Sequence, residues 1–231
     1  MIIGRGMISN SMKRIDNENY IFFASGVSNS KENNILEYKR EKELLSKYYS
    51  ENKCLIYFSS YFVGFESYLN QKYYKHKEEM ENLIKRNFSY YKIIRLPQVV
   101  GYSNNNNTLT NFLFNSISND IPINVFENTK RNLIDIDDIV SILEYINKNE
   151  LFLNSTVNLI AAKSFKVEEI IETFEFIFNK KAIKNICASI ETDFDLIISK
   201  DLLEVYNFLD IKFDELYLEK LIEKYYKRRN S

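Results

Sequence analysis

The sequence predicts an α/β fold built on a doubly wound parallel sheet, and three observations carry that prediction. Short, uniformly apolar runs alternate with segments of helical periodicity, each run ends in small or polar residues, and a glycine turn follows the first of them. Strands that are apolar on both faces, rather than on alternate residues, are what a parallel sheet covered by helices on both sides requires.

The elements follow in order. "MIIG" precedes the helical "RGMISNSMKRI", "YIFFASG" precedes "NNILEYKREKELLSKYYSEN", "CLIYFSS" precedes a helix through "YYKHKEEMENLIKRNF", and "YKIIRLPQVVG" precedes "TLTNFLFNSISN". In open sheets of this class, ligands bind beyond the carboxyl ends of the strands. Those ends are Gly4 and Gly6, Ser25 and Gly26, Ser59 and Ser60, and Pro97 and Gln98, which are small or able to hydrogen-bond. One cleft could gather them all.

After Gly101 the run "SNNNN" reads as a loop, and "IPINVFENTKRNLIDIDDIVSILEYI" as a short strand, a turn, and a strand entering a helix that Asp137 or Asp138 caps. "STVNLIAAKSFKVEEIIETFEFIF" and the C-terminal stretch add a further strand and amphipathic helices. The boundary falls at a core of residues 1–101 and a smaller lobe of 102–231, with some strands returning to the main sheet. No internal repeat is visible.

Composition narrows the class. A formal net charge of −1 over 231 residues gives no nucleic-acid footprint. Cys54 and Cys187 lie far apart, outside any Cys/His cluster, so they read as reduced core thiols and no metal site is expected. No apolar run is long enough to span a bilayer, and the chain reads as cytoplasmic.

The helix through "YYKHKEEMENLIKRNF" places Met80, Leu83 and Ile84 on one face, with Lys77 and Tyr73 on the same stripe. An ordinary account of Lys77 is a snorkelling stem paired with Glu81 one turn on. His76 falls beside the stripe, as a surface or supporting residue, and "EYKREKELLSKYYSEN" reads as a solvated helix face. The basic "EKYYKRRNS" reads as a frayed terminus.

The opening "IIGRGMIS" is a strand, a glycine turn and a helix start, and Gly4-x-Gly6-x-x-Ser9 lets backbone amides receive a pyrophosphate. Ser9 stands where a third glycine or alanine is usual. With that turn followed in order by "IYFSSYFVG", "YYKHKEEME", "IIRLPQVVG" and "NTKRNLIDIDDIV", the sequence resembles the extended short-chain dehydrogenase/reductases that act on nucleotide sugars, the NAD-dependent epimerase/dehydratase family. The resemblance runs from Met1 to about residue 162 and more loosely beyond.

It implies a Rossmann-like dinucleotide-binding core, a substrate-binding second lobe, and catalysis by Ser60, Tyr73 and Lys77. It implies NAD or NADP held by Gly4, Arg5, Gly6, Met7, Ile8, Ser25, Gly26, Lys77 and Pro97. A nucleotide-sugar substrate would meet Ser60, Gln98 and Arg131, the last matching the arginine that holds the diphosphate; Asn158 matches the strand "YNIG". No nucleic acid or membrane is implied, and helices beside the site would permit a homodimer. Tyr73 would exchange a proton with a sugar oxygen, and a lysine one turn away would favour its phenolate against an ordinary pKa of about 10.

The pattern also departs from the family. Two strand-helix units normally separate the glycine turn from the strand matching "YIFFASG", one carrying the acidic residue that binds the adenosine ribose, and both are missing. The connection between Ser60 and Tyr73 is short, and Tyr61 and Phe62 replace the Asp-Glu pair of dehydratases, so 4,6-dehydration is not expected. Glu37 falls where relatives carry a supporting asparagine. Two readings follow: a keto-sugar reductase or epimerase in which Arg5 compensates for lost adenosine contacts, or a divergent relative that binds a nucleotide sugar or a partner chain without turnover.

Overall fold

The structure, a computed structural model, describes residues 1–188 and 196–227. Its first half alternates β1 (Ile2–Ile3), α1 (Met7–Met12), β2 (Tyr20–Phe23), α2 (Ile35–Ser46), β3 (Cys54–Ser60), α3 (Lys72–Asn87) and β4 (Tyr91–Leu96). The four strands lie side by side in that order, all parallel, and a fifth from the second half, Ser155–Asn158, pairs with β4. This is the parallel α/β sheet the apolar runs predict.

Both faces of the sheet are covered, which is why its strands lack polar alternation. Phe22, Ile56, Phe58, Ile94 and Leu96 pack on one side with Met12 of α1, and Ile21, Phe23, Leu55, Tyr57 and Ile93 on the other with Leu45 of α2 and Met80 and Ile84 of α3. All are buried, each contributing about 1.5–3 kcal/mol relative to exposure.

This arrangement carries a topological exception. The connections β1–α1–β2, β2–α2–β3 and β3–α3–β4 each step to the neighbouring parallel strand in one direction, yet α1 lies on the opposite face from α2 and α3. Parallel crossovers that advance the same way on opposite faces have opposite hands. Right-handed crossovers are the strong rule, so the exception belongs to the six-residue α1.

The second half departs from the sequence reading in two places. "YKIIRLPQVVG" is not one strand: Pro97 has no amide to donate, the ladder stops, and β5 (Gln98–Val100) pairs instead with a later strand, Leu133–Asp135. After β5 come α4 (Leu109–Ser118), β6 (Ile123–Phe126), β7 (Lys130–Arg131), β8 (Leu133–Asp135), α5 (Ile136–Lys148), β9 (Ser155–Asn158), β10 (Phe165–Lys166), α6 (Val167–Phe178), β11 (Lys184–Cys187), α7 (Lys200–Phe208) and α8 (Tyr217–Tyr226). Neither Asp137 nor Asp138 caps α5; Asp135 does, its side chain accepting from the Asp137 amide at 2.8 Å.

Those two aspartates dock the C-terminal helix instead. Lys224 of α8 lies 2.7 Å from Asp135 and 2.6 Å from Asp137, and the Tyr217 hydroxyl donates to Asp138 at 2.7 Å. Cys54 and Cys187 are free and half-buried, and the last residues of "EKYYKRRNS" lie outside the described residues. Among the described residues no helix is long and apolar enough to cross a membrane.

Burial, with Asp135 and Asp137 nearby, pushes the Asp138 carboxyl up to about 6 against the Tyr217 hydrogen bond and Lys224. An acid raised in the folded state is favourable while protonated, and that contribution is lost as pH rises from the unfolded value through about 6. Asp138→Asn keeps an acceptor for Tyr217 without the buried charge. It is expected to stabilise the chain by about 1 kcal/mol at pH 8, a melting-temperature gain of about 2–4 °C, that shrinks toward pH 4.5 in thermal melts.

Candidate active site

The four strand ends of the main sheet form one edge. Gly4, with φ +138°, lies so close to the end of β2 that a Cβ there would stand 2.4 Å from the Ala24 carbonyl oxygen. Only glycine allows that approach. Gly6 precedes α1 with open space at its Cβ position, and the first intrahelical bond is made by the Asn10 amide to the Gly6 carbonyl at 3.0 Å. The amides of Met7, Ile8 and Ser9 therefore precede the helical ladder. Ser9 is fully buried and donates to the Gly6 carbonyl at 2.9 Å, so a small residue is needed there; Arg5 is exposed.

Helix α3 brings Tyr73 and Lys77 inward, as the stripe predicts, but the partner of Lys77 is not Glu81. Its ammonium, 2% exposed, lies 3.2 Å from Glu41 Oε1 and 3.0 Å from the Tyr57 hydroxyl, which itself donates to Glu41 at 2.7 Å. Glu41 is 0% exposed and also accepts from the Val27 amide at 2.7 Å and meets His76 Nε2 at 2.9 Å. The face of α2 read as solvated thus contributes a buried carboxylate. His76 is no surface residue; it is buried against that carboxylate. An ionised carboxylate only accepts, so Nε2 carries the proton, and Nδ1 is buried with no partner among the described residues.

The electrostatics follow from this contact set. Burial alone would raise the Glu41 carboxyl, but the Lys77 ammonium and the hydrogen bonds from His76 and Val27 overcome it and hold Glu41 far below the usual range. Burial drives the Tyr57 hydroxyl well above 10, with Glu41 adding to the effect. Burial likewise raises the Tyr73 hydroxyl, helped by Tyr74, Glu41 and Tyr38. Tyr73 is therefore a neutral phenol, and its hydroxyl makes no hydrogen bond among the described residues.

The remaining residues divide between edge and core. Ser59 turns inward and donates to Glu81 at 2.6 Å, while Glu81 takes Arg95 in two bonds of 2.9 and 2.7 Å. Ser60, the last residue of β3, is half-buried with no side-chain bond among the described residues. Beyond Pro97, Gln98 opens β5 with its side-chain oxygen buried and without a partner among the described residues. Arg131 sits in β7, bonded to the Lys130 carbonyl and close enough to Tyr74 to draw its hydroxyl down against the burial that raises it. Asn158 ends β9 and donates to the Ile197 carbonyl at 3.2 Å.

Glu37 takes no part: it is half-buried and paired with Arg40, which reaches Ser25. Aromatic rings fill the short connection after Ser60, where Phe62 lies 5.7 Å from Phe65 and 4.9 Å from Tyr68, and Tyr68 lies 4.9 Å from Tyr74. A cleft of about 570 Å³ lies elsewhere, at the amino ends of β2, β3 and β4, among Tyr20, Cys54, Tyr90, Lys92 and Glu150. It is remote from every strand-end residue named above, and Lys92 there bonds the Ile146 carbonyl and the Asn147 side chain.

No protein-family model matches the sequence, and no curated protein matches it. Solved structures do. The fold is similar to that of UDP-glucuronic acid 4-epimerase from Bacillus cereus in complex with UDP-glucuronic acid and NAD (TM-score 0.69, 16% identity, 97% of this chain and 79% of that one). It is similar to RMD from Pseudomonas aeruginosa complexed with NADPH (0.68, 13%, 91% and 82%), and to dTDP-glucose 4,6-dehydratase from Bacillus anthracis in complex with NAD (0.66, 14%, 97% and 77%). The architecture implied by the sequence resemblance is the architecture observed.

Gly26 provides a direct check on the buried cluster. A Cβ on it would stand 2.6 Å from Lys77 Nζ and 2.7 Å from Glu41 Oε1, the tips of two buried side chains that hold each other in an ion pair. Gly26→Ala is expected to destabilise the chain by about 1–3 kcal/mol in urea unfolding, whereas the same change at Gly6, with open space around it, is expected to cost about 1 kcal/mol or less.

Proposed function

We propose that the chain is an NAD(P)-dependent oxidoreductase acting on a nucleotide-linked sugar, as a keto-sugar reductase or epimerase. The observation that carries this reading is the convergence of the glycine turn, Ser60, the Tyr73–Lys77 pair and Gln98 on the carboxyl edge of one parallel sheet. The fold it shares with nucleotide-sugar epimerases and dehydratases solved with NAD or NADPH supports the same reading.

The residues present fit the nicotinamide and pyrophosphate parts of such a cofactor. Gly4 lets the backbone close on β2, the amides of Met7, Ile8 and Ser9 and the side chain of Arg5 are available to a diphosphate, and Ser25, Gly26, Lys77 and Pro97 flank the next strand ends. The buried oxygen of Gln98, without a partner among the described residues, is an acceptor that a carboxamide or hydroxyl would satisfy. The bound dinucleotide supplies hydride exchange at the carbon bearing the sugar oxygen.

The chain's own residues manage the proton. A neutral Tyr73 suits the acid role: it would give its proton to the oxygen of a ketone under reduction, with Ser60 donating a hydrogen bond to that oxygen. Lys77 would then stabilise the phenolate left behind, and Arg131 would take the substrate diphosphate.

A second reading, binding without turnover, is favoured by one observation: the Lys77 ammonium is already held by Glu41 and Tyr57. Titration with NADH and NADPH, followed by nicotinamide fluorescence, separates the two. Saturable binding weakened at least tenfold by Lys77→Ala is expected; absence of binding up to millimolar concentration in the folded protein sinks the oxidoreductase reading. Tyr73→Phe is expected to keep cofactor binding and to lower turnover of a keto-sugar nucleotide by about 10²-fold or more.

A further inference from the structure

Glu41 is the most completely engaged side chain of the candidate site. Its two oxygens receive the Val27 amide, the Tyr57 hydroxyl, His76 Nε2 and the Lys77 ammonium, from three different segments of the chain. Tyr57 belongs to β3, His76 and Lys77 to α3, and Val27 to the loop after β2, while Glu41 itself comes from α2. Burying a carboxylate this fully is costly unless a cation and hydrogen bonds compensate it, and the same holds for the ammonium it faces.

We propose that Glu41 is the positioning residue of this site: its carboxylate fixes the Lys77 ammonium in place and keeps it charged for the cofactor and for Tyr73. This rests on the reading of Lys77 as a cofactor-binding residue. The groups facing Lys77 leave no substitute. Tyr57 and Tyr73 are phenols, Tyr38 and His76 lie behind Glu41, Gly26 and Val27 present only backbone, and Glu81 is taken by Arg95 and Ser59. Remove the negative charge and Lys77 becomes a buried ammonium without a counter-ion, which sheds its proton at lower pH than before.

The test compares the wild type with Glu41→Gln, a change that preserves shape while removing the charge. Two measurements are made between pH 6 and 9: NADH affinity by fluorescence, and the Lys77 side-chain carbon signal in ¹³C-lysine-labelled protein, assigned by its loss in Lys77→Ala. In the variant the Lys77 signal is expected to titrate at lower pH than in the wild type, and NADH binding to weaken about tenfold between pH 6 and pH 9 while the wild type changes less than about twofold. A folded variant whose Lys77 signal and pH dependence match the wild type overturns the proposal.

If the wild type binds neither NADH nor NADPH, the oxidoreductase reading falls. The carbon signal alone then decides whether Glu41 keeps Lys77 charged. If Glu41→Gln does not fold, the double variant Glu41→Gln/Lys77→Met removes both charges and is expected to fold and regain most of the lost stability; a double variant as unstable as the single one overturns the proposal.

Discussion

A carboxylate with no access to water constrains the elements that meet around it. Glu41 cannot be buried alone, so β3, α3 and the loop after β2 must all bring donors to the one point where α2 places it, and they do so within ordinary hydrogen-bond distances. The same point lies under Gly26, where any side chain would displace the ion pair. The covering helices of one sheet face are thus tied together by charge as well as by the apolar contacts of Leu45, Met80 and Ile84.

Much of this was legible in the sequence, for reasons that also explain the misses. The stripe from Tyr73 through Lys77 to Ile84 declares its inward face because its other members are apolar. Glu41 carries the same signal, since Tyr38, Glu41 and Leu45 form the buried line of α2. It was obscured because Glu and Lys crowd every other position, and a helix rich in charges resembles a solvated one. The ordinary account of Lys77, an i,i+4 pair with Glu81, fails because Arg95 reaches Glu81 across the sheet from β4 and Lys77 turns inward to Glu41. Of the acids of α2, Glu41 turns toward Lys77, while Glu37 one turn earlier pairs with Arg40.

The strand pattern was read well where chain neighbours pair and less well where they do not. Pro97 announces a break in the ladder, yet only the tertiary partner, β8, shows that the residues after it start a separate sheet. The cap of α5 moved from Asp137 or Asp138 to Asp135 for a related reason: several acids cluster there, and α8 claims the later two. The short α1 on the opposite face from α2 and α3 gives the first crossover the disfavoured hand, a feature that spacing alone does not reveal.

That monotonic order of strands also bears on how the chain reaches its fold. From β1 to β4 every strand pairs with the one just before it in sequence, so each step closes only the loop of a single intervening helix. The fifth strand is different: β9 must cross the whole of α4, α5 and the small sheets before it can seat against β4. Loop-closure entropy therefore divides assembly into two stages: a local stage complete by Leu96, and a late, non-local one in which β9 seats beside β4. Until β9 arrives, β4 is an open edge, and loop-closure entropy makes the pairing that covers it the costliest of the sheet to form.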